Sequence, residues 1–142
     1  MTGVLEFVRV PHSSPSSAER RQEILSEPGF GQYFTDHMVS ITYTEGVGWH
    51  DAKVEPYAPI QIDPAAMVLH YGQAIFEGLK AYRQADGSIS SFRLSANAAR
   101  MNRSAERLAM PYLPPEVFEK SVRELLDVDH EWVPAAGGEE SL

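Results

Sequence analysis

Residues 69–83, LHYGQAIFEGLKAYR, change their backbone period halfway along, around a glycine. Tyr71, Ala74, Ile75 and Gly78 recur at helical spacing, whereas Leu79, Ala81 and Arg83 alternate with Lys80 and Tyr82 as in a strand. The pattern predicts a short helix, a stop at Gly78 and then a strand. Glycine suits such a stop, because the left-handed conformation that often ends a helix costs it nothing. Two aromatic residues, Tyr71 and Phe76, precede the stop and a cation, Lys80, follows it. This grouping suggests a pocket wall, with core packing as the default account.

Around this junction the chain alternates turns with periodic segments. Ser17 is placed to cap a helix to about residue 25, which Pro28-Gly29 ends, and Leu5, Phe7 and Val8 suit a short edge strand before the loop-like PHSSPSS. Residues 34–43 alternate as a strand, Glu45 to Gly48 form a turn, and residues 49–55 return as the second strand of a hairpin. Ile60 to Ile62, held between prolines, make at most a short strand. Asp86-Gly87 supplies the turn of a second hairpin, joining residues 79–83 to residues 89–94.

Ser95 then caps a helix to about residue 109 with Ala98, Met101, Ala105 and Leu108 on one face, and Pro111 stops it. Pro115 opens another, whose Phe118, Val122, Leu125 and Leu126 point one way. Its outer face offers three i,i+4 pairs, Glu116 with Lys120, Glu119 with Arg123, and Lys120 with Glu124. Two hairpins followed by two helices predict an α+β fold, an antiparallel hairpin-built sheet covered by helices. A Gly-Gly turn at residues 137–138 should lead into a further element, so the sequence reads as a piece of a longer chain.

At 142 residues and 43% hydrophobic content, the chain suffices for one domain with a core. A net charge of −8 argues against nucleic acid or an anionic membrane as the main partner. The absence of cysteine removes thiolate metal sites and cysteine nucleophiles. No apolar run nears the ~18 residues of a membrane span, and the first residues lack secretory-signal character, so an intracellular location is expected.

Within that acidic total, residues 80–107 carry six cations (Lys80, Arg83, Arg93, Arg100, Arg103, Arg107) and two acids, a local balance of +4. Arg100, Arg103 and Arg107 lie at i, i+3 and i+7 beside the apolar stripe. Arginine suits phosphate or carboxylate because its planar fork gives two parallel charge-assisted hydrogen bonds. A solvated face, with Arg103 and Glu106 loosely paired, is the plainer account of at least two of the three. The five histidines have no metal-ligand spacing, and neither Asp36-His37 nor His50-Asp51 reads as a dyad, since neighbours on a strand face opposite ways. GxSxG, P-loop and GxGxxG motifs are absent. Tyr71 is either a hydrogen-bond donor to a substrate or a half-buried tyrosine.

FGQYFTDHMVSITY, VLHYGQAIFEGLKAYR and SANAARM, in this order and at this spacing, closely resemble the small N-terminal domain of branched-chain amino acid aminotransferases, pyridoxal-phosphate enzymes of fold type IV. The resemblance implies exchange of the amino group of leucine, isoleucine or valine with 2-oxoglutarate, giving 2-oxo acids and glutamate, by a cytoplasmic homodimer. It places Arg100 on the cofactor phosphate and Phe30, Tyr71 and Phe76 around the substrate side chain, with Tyr71 available to the neighbouring subunit. It also divides the chain into an N-terminal extension, residues 1–27, and most of the small domain, residues 28–142.

The family's Schiff-base lysine and large cofactor-binding domain are implied to lie downstream. None of Lys53, Lys80 and Lys120 sits in the family's lysine context, so no catalytic residue is assigned and Lys80 reads as structural. The chain alone is then expected to be inactive. The rival reading is a non-catalytic, stand-alone module of the same fold that binds a small anion or a partner protein.

Overall fold

The computed structural model describes residues 5–137. Among them the fold is α+β, with two separate sheets and the two long helices last in the chain. The Gly-Gly turn is described only as far as Gly137, and whatever follows it lies outside the described residues.

The first sheet has the order β1 (Val8–Arg9), β3 (Gly48–Pro56), β2 (His37–Thr44). Strands β2 and β3 are the expected antiparallel hairpin, whereas β1 joins the other edge of β3 in parallel, so the sheet is mixed rather than purely antiparallel. The central strand carries the buried side chains, Ala52 and Val54, at 2% and 1% exposure. The hairpin register slips between Ser40 and Thr42, which face Lys53 and His50 respectively. Asp51 takes up the extra length in a left-handed conformation, φ 50°, the mark of a β-bulge.

Helix α1 (Ala18–Ser26) is capped as expected, the Ser17 hydroxyl accepting from the Arg20 N–H at 3.2 Å. The segment before it is bonded onto the body. Lys120 donates to the Leu5 carbonyl, Arg9 forks onto Glu124 and Asp127, and Ser16 bonds Asp36. These contacts divert Lys120 and Glu124 from the expected helix-surface pairs, of which only Glu119 with Arg123 forms.

The junction in residues 69–83 differs from its expected form. Helix α2 (Met67–Tyr71) stops at Gly72, which adopts the left-handed cap at φ 63°, ψ 29°. Gly78 has no positive φ, and residues 73–80 form no regular element before β4 (Ala81–Arg83). Periodicity cannot separate two glycines six residues apart, and the one immediately after Tyr71 takes the cap. Strand β4 pairs with β5 (Ile89–Ser91) across the Asp86-Gly87 turn, and no strand forms at Ile60 to Ile62.

Helix α3 (Leu94–Arg107) starts one residue before Ser95, so Arg93, not Ser95, is its N-cap. Arg93 is left-handed, φ 53°, and its side chain makes no capping bond. Helix α4 (Pro115–Val128) begins with Pro115 in its first turn, where the missing N–H costs nothing. Ala98 of α3, Phe118 of α4 and Leu113 between them form the core cluster, with Trp49, Leu79, Met101 and Val122 packed around it. Leu108, expected on the buried stripe, is 39% exposed, because α3 ends at Arg107. Asn102 fixes the connection by bonding both the N–H and the carbonyl of Leu113, at 2.9 and 2.8 Å.

Candidate functional site

Helix α3 brings Arg100 against the irregular segment that precedes β4. Its Nε donates to both carboxylate oxygens of Glu77, at 3.0 and 2.8 Å, and its Nη2 donates to Glu77 Oε1. Asn97, one turn earlier on α3, donates to Glu77 Oε1 at 2.9 Å and to the Gly78 carbonyl at 3.0 Å. The Glu77 side chain is only 4% exposed, that of Arg100 59%. Hydrogen bonds from Arg100 hold the Glu77 carboxyl at about 2 against its own burial, and those from Asn97 help. Arg100 is correspondingly raised by its bonds to Glu77. The Nη1 edge of Arg100 has no partner among the described residues.

Beside this pair opens a cavity of about 430 Å³, with Lys80, Arg93, Arg100 and Arg103 in its lining and no carboxylate. Lys80 and Arg93 converge there because the β4–β5 hairpin brings the ends of residues 80 and 93 to the start of α3. Neither Arg93 nor Arg103 is bonded to a carboxylate among the described residues, so the expected pairing of Arg103 with Glu106 does not form. Such a donor set suits a phosphate, whose oxygens accept several charge-assisted hydrogen bonds.

The three aromatic residues stand apart from this cavity. Phe30, Tyr71 and Phe76 are 99%, 79% and 90% exposed. Phe30, between the left-handed glycines Gly29 and Gly31, borders a separate apolar cavity of about 600 Å³ with Ile24, Phe34, Met38 and Trp132. Tyr71 and Phe76 border neither cavity. Phe76 is nonetheless tied to Arg100 through the chain, since the next residue is Glu77. Tyr71 is therefore not the half-buried tyrosine of the plainer reading.

Two histidine contacts were not legible from spacing. His37 bonds Asp129, 92 positions away, and the 3% exposed Asp129 carboxylate also accepts from the His37 backbone N–H. His50 does touch Asp51, at 2.9 Å, because the bulge breaks the alternation of faces that would separate them. Its other nitrogen lies 2.8 Å from the Thr44 hydroxyl. This hydroxyl–imidazole–carboxylate chain borders neither of these two cavities. Among the described residues there is no cluster suited to a metal ion, and no helix long and apolar enough to cross a membrane.

No protein-family model matches the chain. Individual relatives match nearly all of it. The branched-chain-amino-acid aminotransferase of Mycolicibacterium smegmatis is 63% identical over 141 residues, 99% of this chain and 38% of the relative. That of Mycobacterium tuberculosis is 60% identical over the same span and share. Branched-chain-amino-acid transaminase 1 of Bacillus subtilis is 50% identical over 113 residues, 80% of this chain and 32% of the relative. The chain thus spans about a third of the length of these relatives, 32–38%. By sequence over nearly all of its length, the chain is similar to the branched-chain-amino-acid aminotransferases in the region of their small N-terminal domain, and its α+β fold agrees with that placement.

Proposed function

We propose that these residues serve as the small domain of a pyridoxal-phosphate enzyme that moves the amino group of leucine, isoleucine or valine to 2-oxoglutarate. In this reading residues 28–142 are most of that domain, residues 1–27 its N-terminal extension, and the enzyme works as a cytoplasmic homodimer. Pyridoxal phosphate supplies the electron sink for amino transfer when bound. The chain's own share is orientation and electrostatics.

The observation that carries the reading is the cavity beside Arg100. A dianionic phosphate is favoured by a guanidinium with a free Nη1 edge and by Lys80, Arg93 and Arg103 in the same lining, with no carboxylate among them. Glu77 engages the other edge of Arg100, so the phosphate meets one aimed donor backed by three further positive charges. Phe30, Tyr71 and Phe76 present apolar rings to whatever covers them, and an aliphatic side chain is sorted against such rings by shape. One methylene is worth only ~1–3 kcal/mol in a hydrophobic pocket, which accounts for shared use of leucine, isoleucine and valine.

The test is titration with pyridoxine 5'-phosphate, which carries the phosphate but no aldehyde to react with lysines, against pyridoxine. Tighter binding of the phosphorylated form, by tenfold or more and lost in Arg100→Ala, is the expected result. Equal affinities for the two compounds would reject Arg100 as the phosphate ligand.

A further inference from the structure

We propose that Glu77 is a positioning residue for the phosphate site, fixing the guanidinium of Arg100 so that its Nη1 edge faces the incoming oxygen. The inference rests on the assignment of Arg100 to the phosphate. Three observations lead to it. The Glu77 side chain is almost wholly buried although it is a carboxylate, a placement seldom kept without a partner. Its two oxygens take the Nε and Nη2 donors of a single arginine, which leaves that planar fork no rotation about its last bond without breaking them. Asn97 in turn holds the carboxylate, reaching Glu77 and the Gly78 carbonyl from the same face of α3.

Two effects of Glu77 on anion binding oppose one another. Its negative charge cancels that of Arg100 and weakens the pull on phosphate. Its hydrogen bonds remove the freedom of a long, 59% exposed side chain before the anion arrives. The charge is made up by Lys80, Arg93 and Arg103 around the same cavity, whereas among the described residues the Arg100 guanidinium has no further hydrogen-bond partner apart from a 3.4 Å contact with the Gly78 carbonyl. Orientation therefore dominates, and Glu77 strengthens phosphate binding in spite of its sign.

The test is a double-mutant cycle on the whole chain, reading affinity for pyridoxine 5'-phosphate in the native protein, Glu77→Gln, Arg100→Ala and the double variant. Glutamine keeps the size of the side chain but turns an N–H₂ group toward the arginine donors. The expected result is a five- to tenfold loss from Glu77→Gln when Arg100 is present and less than a twofold change when it is absent. Asn97→Ala, which loosens Glu77 without touching Arg100, should lose two- to threefold on the same condition, and it decides the matter if Glu77→Gln does not fold. An equal loss in both Arg100 backgrounds would make Glu77 a support of the fold only. An unchanged or raised affinity in Glu77→Gln, with Arg100→Ala still weakened, would overturn the positioning role and leave the Arg100 assignment standing. An unchanged affinity in Arg100→Ala would remove both.

Discussion

The imidazole Nδ1 of His37 lies 2.6 Å from Oδ1 of Asp129, while the other oxygen of the same carboxylate accepts the His37 backbone N–H at 3.0 Å. One buried side chain thus fixes both the ring and the backbone at the start of β2, and does so from the C-terminal end of α4. Trp132 continues the clamp by donating to Asp36, which also receives Ser16. Asp129→Ala leaves a peptide N–H and an imidazole without partners in a half-buried place. Its cost should be about 3 kcal/mol in urea denaturation, and Asp129→Asn, which retains one acceptor, should cost about half as much.

Glu77 gives the chain a distinct acid limb. Its carboxyl is held at about 2 in the folded protein and returns to the ordinary range near 4.5 on unfolding. The lowered folded value means that the stabilisation is fully present above about pH 4.5 and disappears as pH falls toward 2. With Arg100 largely exposed and screened, its size is on the order of 1–2 kcal/mol. Stability measured from pH 5 to pH 2 should therefore fall less steeply in Glu77→Gln than in the native chain. Parallel limbs would contradict the pairing.

The two glycines of YGQAIFEG should respond differently to alanine. Gly72 holds a left-handed conformation with no atom near the position of a Cβ, so Gly72→Ala pays only for the backbone, about 1 kcal/mol. Gly78 is not left-handed and also faces open space, so Gly78→Ala should be neutral or stabilising by up to ~1 kcal/mol. Thermal melts of the two variants compare them directly. A greater loss at Gly78 would restore it as the helix stop.

That reversal marks the limit of what the sequence discloses. Local chemistry was legible: Ser17 caps α1, Asp86-Gly87 turns a hairpin, and Pro115 opens α4, each decided by residues within a turn or two. Arg100 is singled out by its motif, and the structure places it on a cavity lined by Lys80, Arg93 and Arg103. Glu77 was not legible, because a charge tally beginning at Lys80 excludes it and because nothing in spacing shows that residue 77 folds back onto α3. The His37 contact, 92 positions long, and the bulge at Asp51 are tertiary and register effects without a local signature. Asn102, a polar residue on a helix, likewise reveals its role only where α4 brings Leu113 to it.

Phe30, Tyr71 and Phe76 contribute little to the folding of this chain, since 99%, 79% and 90% of each remains exposed. Alanine at any of them should change unfolding free energy by less than about 0.5 kcal/mol. Phe118, at 8% exposure in the core cluster, should by contrast cost about 3–5 kcal/mol as Phe118→Ala. Denaturant titration of the four variants makes the comparison. A large loss at Phe76 would mean that its ring supports the fold rather than a ligand or a covering surface.

Transamination by the 142-residue chain alone, with leucine, 2-oxoglutarate and pyridoxal phosphate, should not exceed a protein-free blank. The chemistry needs an amine that reaches the cofactor aldehyde while the phosphate is held, and the chain has three lysines. Lys120 is engaged with the Leu5 carbonyl at 2.9 Å and lies over the ring of Phe7, and Lys53 is half-buried in the central strand. Of the three, only Lys80 borders the cavity beside Arg100, where its neighbours Arg93, Arg100 and Arg103 fit it to attract an anion. Lys80→Ala should accordingly weaken binding of pyridoxine 5'-phosphate severalfold and leave the absence of turnover unchanged. Turnover by the native chain that Lys80→Ala abolishes would make Lys80 the reactive amine, and would overturn both its electrostatic role and the inactivity of the isolated chain.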